Sequence, residues 1–170
     1  MSERRSLLMG LGVLVGSALA TAIVVPATVF LRFPTRRRTV SGGDEPIEVA
    51  RLVELTDGVP KRVAVRAARL RDAWNAFTDV TLGTAWLVRS GAEVRALSSV
   101  CPHAGCAVGY RDEERCFRCP CHDSAFSLDG ARRSGPTPRG LDALDCTVEN
   151  GRVRLTWKRF RQGVAGKEPT

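Results

Sequence analysis

The segments Cys101-Pro102-His103-Ala104-Gly105-Cys106 and Cys119-Pro120-Cys121-His122-Asp123-Ser124 decide how this sequence is read. In each, one short loop offers a thiol and an imidazole, with Cys101 two residues before His103 and Cys119 three before His122. Fifteen residues separate His103 from Cys119. The chain has 6 cysteines and 2 histidines, and both histidines and all but one cysteine fall between positions 101 and 122. Soft ligands at that density indicate a metal site or a stapled loop, not scattered core thiols. Pro102, Gly105 and Pro120 free backbone amides to point at anionic sulfur. A Cys2His2 set can hold one tetrahedral zinc. It can equally hold two irons, one on two cysteines and the other on two histidines. Zinc fingers continue from the histidine pair into a helix and lack the second cysteine of each loop, which weighs against zinc.

On both sides of these loops the pattern is short strands broken by turns. Strand candidates are Ile47–Leu55, Arg62–Ala67, Trp74–Phe77, Ala85–Arg89, Val94–Leu97, Leu144–Glu149 and Arg152–Trp157. Val63, Val65 and Ala67 alternate with Arg62, Ala64 and Arg66, as half-buried strands require. Ser90-Gly91 and Asn150-Gly151 mark tight hairpins. After residue 31 no sustained helical period appears. An all-β, antiparallel sandwich with a loop-rich insertion follows.

The N-terminus is different in kind. From Ser6 to Leu31 no residue is charged, and about 20 apolar residues suffice to cross the hydrocarbon core as a helix. Pro26 is expected to kink or end that helix, and Gly12, Gly16 and Ala20 line one small-residue face. Arg4-Arg5-Ser6-Leu7-Leu8 resembles a twin-arginine export signal, the route for folded, cofactor-loaded proteins. Residues 1–31 are therefore read as an uncleaved signal and membrane anchor, with the N-terminus inside. Residues 32–46, RFPTRRRTVSGGDEP, read as a linker that could span roughly 50 Å at about 3.3–3.6 Å per residue. Arg32, Arg36, Arg37 and Arg38 would by charge alone hold the domain in the cytoplasm. Folded export and paired cysteines favour the outer face of a bacterial cytoplasmic membrane. The net charge of +8 suits lipid headgroups or an acidic partner. With scattered arginines and 1 Tyr, it gives no nucleic-acid platform.

CPHAGC and CPCHDS resemble, in content and spacing, the two cluster-binding boxes of Rieske iron–sulfur proteins. The resemblance runs over about 47–160, leaving 161–170 as a C-terminal tail. It implies a Rieske-type β-sandwich with one [2Fe–2S] cluster, Cys101 and Cys119 on one iron, His103 and His122 on the other. In such centres imidazole in place of thiolate raises the potential. The resemblance also implies a Cys106–Cys121 disulfide, the mark of the high-potential branch. Gly135-Pro136-Thr137-Pro138 resembles the proline loop that covers the cluster.

Within that family, the anchor, the linker and the disulfide resemble the iron–sulfur subunit of a quinol–cytochrome c reductase. There is no room for an oxygenase domain, and no histidine remains for a second iron site. The implied partners are a cytochrome b subunit, a c-type cytochrome, quinol and the lipid bilayer. His103 and His122 would accept the quinol's electron and proton, and the subunit is not catalytic alone. The alternative is the Rieske small subunit of an arsenite oxidase, relaying electrons from a molybdenum subunit. Ser124 matches a serine that bonds a bridging sulfide. Phe126 stands where many relatives have a tyrosine donor, which implies a lower potential suited to menaquinol. Cys116 and Cys146 are left over, as a second disulfide or, the reading favoured, as buried free thiols. Trp74, Trp86 and Trp157 read as core or interface aromatics.

Overall fold

A computed structural model describes residues 2–36, 45–71 and 75–170. Most of the expected linker, and Trp74, lie outside the described residues. The described chain forms two compact units, an N-terminal helix and a β domain.

Helix α1 spans Ser2–Arg36, 35 residues, or about 50 Å at 1.5 Å per residue. It runs through Pro26 without ending, so Ala22 loses only its intrahelical donor. The hydroxyls of Ser17, Thr21 and Thr28 bond carbonyls one turn back, at 2.8 Å each, as an apolar medium demands. It also continues past Leu31, because the end of apolar composition does not interrupt backbone hydrogen bonding. Its large apolar side chains from Leu7 to Leu31 are exposed, the pattern of a helix whose burial lies outside the chain. The chain thus carries one N-terminal helix of the length and composition that cross a membrane.

The β domain holds three antiparallel sheets. In the first, β11 (Arg152–Leu155) lies between β1 (Ile47–Arg51) and β10 (Cys146–Glu149). In the second, β2 (Lys61–Arg71), β3 (Ala76–Ser90), β4 (Glu93–Ser98) and β9 (Ala143–Leu144) follow in that order. The third is small: β5 (Gly109–Arg111), β6 (Cys116–Arg118), β7 (Ala125–Phe126) and β8 (Arg132–Ser134). A 3-10 turn at Leu52–Glu54 replaces the end of the first expected strand. The Asn150-Gly151 hairpin closes with Glu149 opposite Arg152. Both turn residues have positive φ, 52° and 72°, as a two-residue primed turn needs.

Strand β3 is one continuous element where the sequence suggested two. Its middle carries an irregularity opposite Val65–Arg66 and a positive φ at Asp79, so alternation is lost over residues that still pair. Gly83 serves the bend: a Cβ there would fall 2.3 Å from the Trp157 ring.

The period of 2 along β3 and β4 explains how one sheet serves two cores. Ala85, Leu87 and Ala96 face the sandwich core with Val63, Val65, Val153, Leu155 and Trp157. Trp86 and Leu97 face the other way, against Cys101, Val108, Phe117, Cys119, Phe126 and Leu141. Trp86 also donates its indole N–H to the Val108 carbonyl at 3.0 Å. The wall between the cores therefore fixes the small sheet, and with it the two boxes.

Candidate metal centre

Both boxes are hairpin tips of the same design. The first follows β4, where Val100 bridges Ala107 and the Cys101 N–H donates to the Cys106 carbonyl at 2.8 Å. The second joins β6 to β7, with Arg118 opposite Ala125 and the Cys119 N–H donating to the Ser124 carbonyl at 2.9 Å. Each thus closes a loop from its leading cysteine to the residue five positions on. In each, the residue four positions on takes a left-handed conformation: Gly105 at φ 83° and Asp123 at φ 53°. Glycine does this freely, and aspartate is among the few residues that tolerate it.

The loops meet. The disulfide Cys106–Cys121 ties them together, as the family resemblance implied. The rings of His103 and His122 lie 4.8 Å apart, nearly perpendicular at 83°. His122 is exposed and His103 half-buried, whereas Cys101 and Cys119 are 1% and 2% exposed. The two thiols thus lie inside and the two imidazoles at the surface. The sulfurs of Cys106, Cys119 and Cys121 also fall within 4.8 Å of one another. Two of them are bonded to each other, so that trio is packing around the disulfide and no ligand set.

Two further observations fit a [2Fe–2S] group. Burial pushes the Cys101 thiol up and neighbouring Cys119 adds to this, while the backbone N–H groups of His103 and Ala104 pull it down. Those amides are donors aimed at sulfur, which a thiolate and its iron partners need. Second, Ser124 Oγ is fully buried without a hydrogen-bond partner among the described residues. Such an orphan is costly unless something accepts its proton. A sulfide of the cluster is a fitting acceptor. Phe126 is fully buried in the second core and pairs with Phe117, so no hydroxyl is offered there.

The proline loop leaves β8 and passes against the second box. Gly135 has φ 91°, and a Cβ on it would fall 2.4 Å from Ser124 Cα. Thr137 is buried and its hydroxyl donates to the Arg139 carbonyl at 2.8 Å, while Pro136 and Pro138 are exposed. Sequence reading missed what lies beyond: Arg139 and Asp142 form a two-pronged ion pair at 2.9 Å on each prong, with side chains only 10% and 6% exposed. No local pattern signals it. Cys116 and Cys146 are both free thiols on different sheets, as the favoured reading expected, but only Cys116 is buried; Cys146 is half-buried at the edge of the sandwich core.

Comparison with known proteins agrees with this geometry. The Rieske [2Fe-2S] domain family profile matches residues 45–147. The menaquinol:cytochrome c reductase iron-sulfur subunit of Bacillus subtilis (strain 168) is 30% identical over 145 residues, covering 83% of each chain. The cytochrome b6-f complex iron-sulfur subunit of Chlorobaculum thiosulfatiphilum is 26% identical over 154 residues, 91% of this chain and 75% of that one. Among solved structures, the apo form of the quaternary ammonium Rieske monooxygenase CntA matches with a TM-score of 0.50 at 19% identity. That match covers 68% of this chain and 33% of the monooxygenase, and shares the fold alone. Boxes, disulfide, orphan serine and family profile agree: the chain belongs to the Rieske [2Fe–2S] iron–sulfur family and is related to the redox subunits of bc-type oxidoreductase complexes.

Proposed function

We propose that the chain is the electron-transfer subunit of a quinol–cytochrome c reductase, taking an electron from menaquinol and delivering it to a c-type cytochrome. Cys101, Cys119, His103 and His122 are the proposed ligands. The observation that carries this reading is the pair of imidazoles, 4.8 Å apart at the outer edge of a buried, disulfide-clamped cysteine pair. A bound [2Fe–2S] group supplies reversible storage of one electron.

The chain's own residues supply the rest. Cys101 and Cys119 keep water from the inner side, and the amides of His103 and Ala104 steady the sulfur. His122, exposed, and His103, half-buried, offer a ring nitrogen that can accept the quinol hydroxyl proton as its electron leaves. Electron and proton then depart together from one edge. The subunit has no need of a deep substrate pocket, since cytochrome b would supply the other half of the quinol site. The helix α1 is proposed as a single-pass anchor, residues 37–46 as the tether, because 32–36 continue the helix, and the outer face of the membrane as the side of the β domain.

Isolation of the tagged full-length chain from its own membranes in mild detergent tests this. A cytochrome b that co-purifies, with menaquinol-dependent reduction of a c-type cytochrome, is expected. A molybdenum subunit in its place would overturn the proposal in favour of an arsenite oxidase. Protease added outside spheroplasts should remove the β domain, and full protection would reverse the orientation.

A further inference from the structure

We propose that the C-terminal segment Phe160–Thr170 is a strap that positions the first cysteine–histidine box, and that Arg139 is the positioning residue that locks it. This rests on the ligand assignment proposed above.

The strap touches the box directly. The Gly163 N–H donates to the Pro102 carbonyl at 2.8 Å, and Pro102 stands between Cys101 and His103. Gly163 has φ 75°, and a Cβ on it would stand 3.8 Å from the His103 carbonyl oxygen. The Gln162 side chain lies 3.9 Å from where a Cβ on Gly105 would sit. Residues 162–163 therefore lie against the backbone of the first box.

The strap is also a closed structure. The Arg161 N–H donates to the Glu168 carbonyl at 2.9 Å and the Thr170 N–H to the Arg159 carbonyl at 3.0 Å. Phe160 bridges Pro169 while its ring is buried in the sandwich core. The Lys167 ammonium caps that ring at 4.9 Å and donates to the Ala143 carbonyl at 2.6 Å.

Arg139, which follows the proline loop, joins these parts. One guanidinium grips both Asp142 oxygens and donates to the Arg161 carbonyl at 2.8 Å and the Val164 carbonyl at 2.5 Å. The Asp142 carbonyl in turn accepts the Ser98 N–H at 2.8 Å, at the end of the strand that feeds the first box. Four acceptors around one side chain need the several donors of arginine's rigid fork, and a lysine ammonium, with three donors, cannot reach them together. With the strap in place, the first box is held both by the disulfide at Cys106 and by the strap at Pro102. Its amides then keep their aim at sulfur, and donors to sulfur favour the reduced state.

The test uses the full-length chain in detergent, a chain ending at Phe160, Arg139→Lys, and the two changes combined. The shorter chain keeps every residue of the sandwich core. The oxidised-to-reduced ratio is read by EPR at one pH and one ambient potential, with the rate of iron loss to a chelator. Removing Arg161–Thr170 should shift the ratio about tenfold toward the oxidised form, about 59 mV for one electron, and speed iron loss. Arg139→Lys should move both readouts the same way, and the combined variant should be no worse than the truncation. Unchanged ratio and iron loss on truncation overturn the strap, and additive effects overturn the role of Arg139. If the shorter chain does not fold, an unchanged ratio in full-length Arg139→Lys overturns the proposal. A full-length chain without the cluster spectrum overturns the ligand assignment, and this inference with it.

Discussion

The backbone of Gly135 lies so close against Ser124 that a Cβ on Gly135 would fall 2.8 Å from the Ser124 hydroxyl oxygen. The proline loop thereby seals a fully buried hydroxyl that has no partner among the described residues. Ser124→Ala separates the two consequences. In the metal-free protein it removes an unsatisfied buried group, so thermal stability should hold or rise slightly. In the loaded protein it removes a donor to sulfide, so the midpoint potential should fall. A midpoint equal to wild type would mean that the hydroxyl serves another acceptor.

Phe126 predicts the opposite change. It is fully buried on β7 in the second core and pairs with Phe117. Phe126→Tyr adds the donor that the family resemblance implies at this position and should raise the midpoint in a redox titration. An unchanged or lower value would show that the ring does not reach a cluster sulfur.

The Cys106–Cys121 disulfide spans a sequence separation of 15. Loop-closure entropy gives about 3 kcal/mol for a loop of that size. Cys106→Ala with Cys121→Ala should lower unfolding stability by roughly that amount and accelerate cluster loss on reduction. Denaturant unfolding and the decay of visible absorption check both effects, and an equally stable, equally retentive variant would refute the clamp.

Cys116 and Cys146 should stay reduced and unreactive. Burial pushes both thiols above the ordinary thiol value, and Glu114 adds to this at Cys116. The fold favours the protonated form. This contribution is therefore complete below the unfolded thiol pKa and is lost as pH rises through the folded one. Alkylation of the native protein at these positions should be slow near neutrality and accelerate only in more alkaline solution. Peptide mapping should find one disulfide, and a Cys116–Cys146 peptide would contradict the structure.

What the sequence disclosed, and what it hid, follows from the range of the interactions. The boxes were legible because a clamp of thiols and imidazoles needs all its donors within two short loops. Asn150-Gly151 was legible because few other residues accept the positive φ of that turn. Strands β5 to β8 were not, since elements of two or three residues are held by Trp86, Phe117 and Phe126 across the second core and carry no period of their own. Strand β3 was split by the loss of alternation near Asp79 and Gly83, although its pairing continues. The Arg139–Asp142 pair and the strap leave no local trace either. Arg139 reaches Arg161 and Val164 across more than 20 positions, and the segment itself reads as a polar tail.

An EPR-monitored redox titration of the purified full-length chain tests the central claim most directly. A disulfide-clamped centre with two cysteine and two histidine ligands predicts a two-iron, one-electron signal with a midpoint between roughly −150 and +300 mV. Replacing His122 should abolish that signal. A midpoint near about −400 mV, as in all-cysteine plant-type ferredoxins, or a zinc-loaded chain with no signal, would contradict the account.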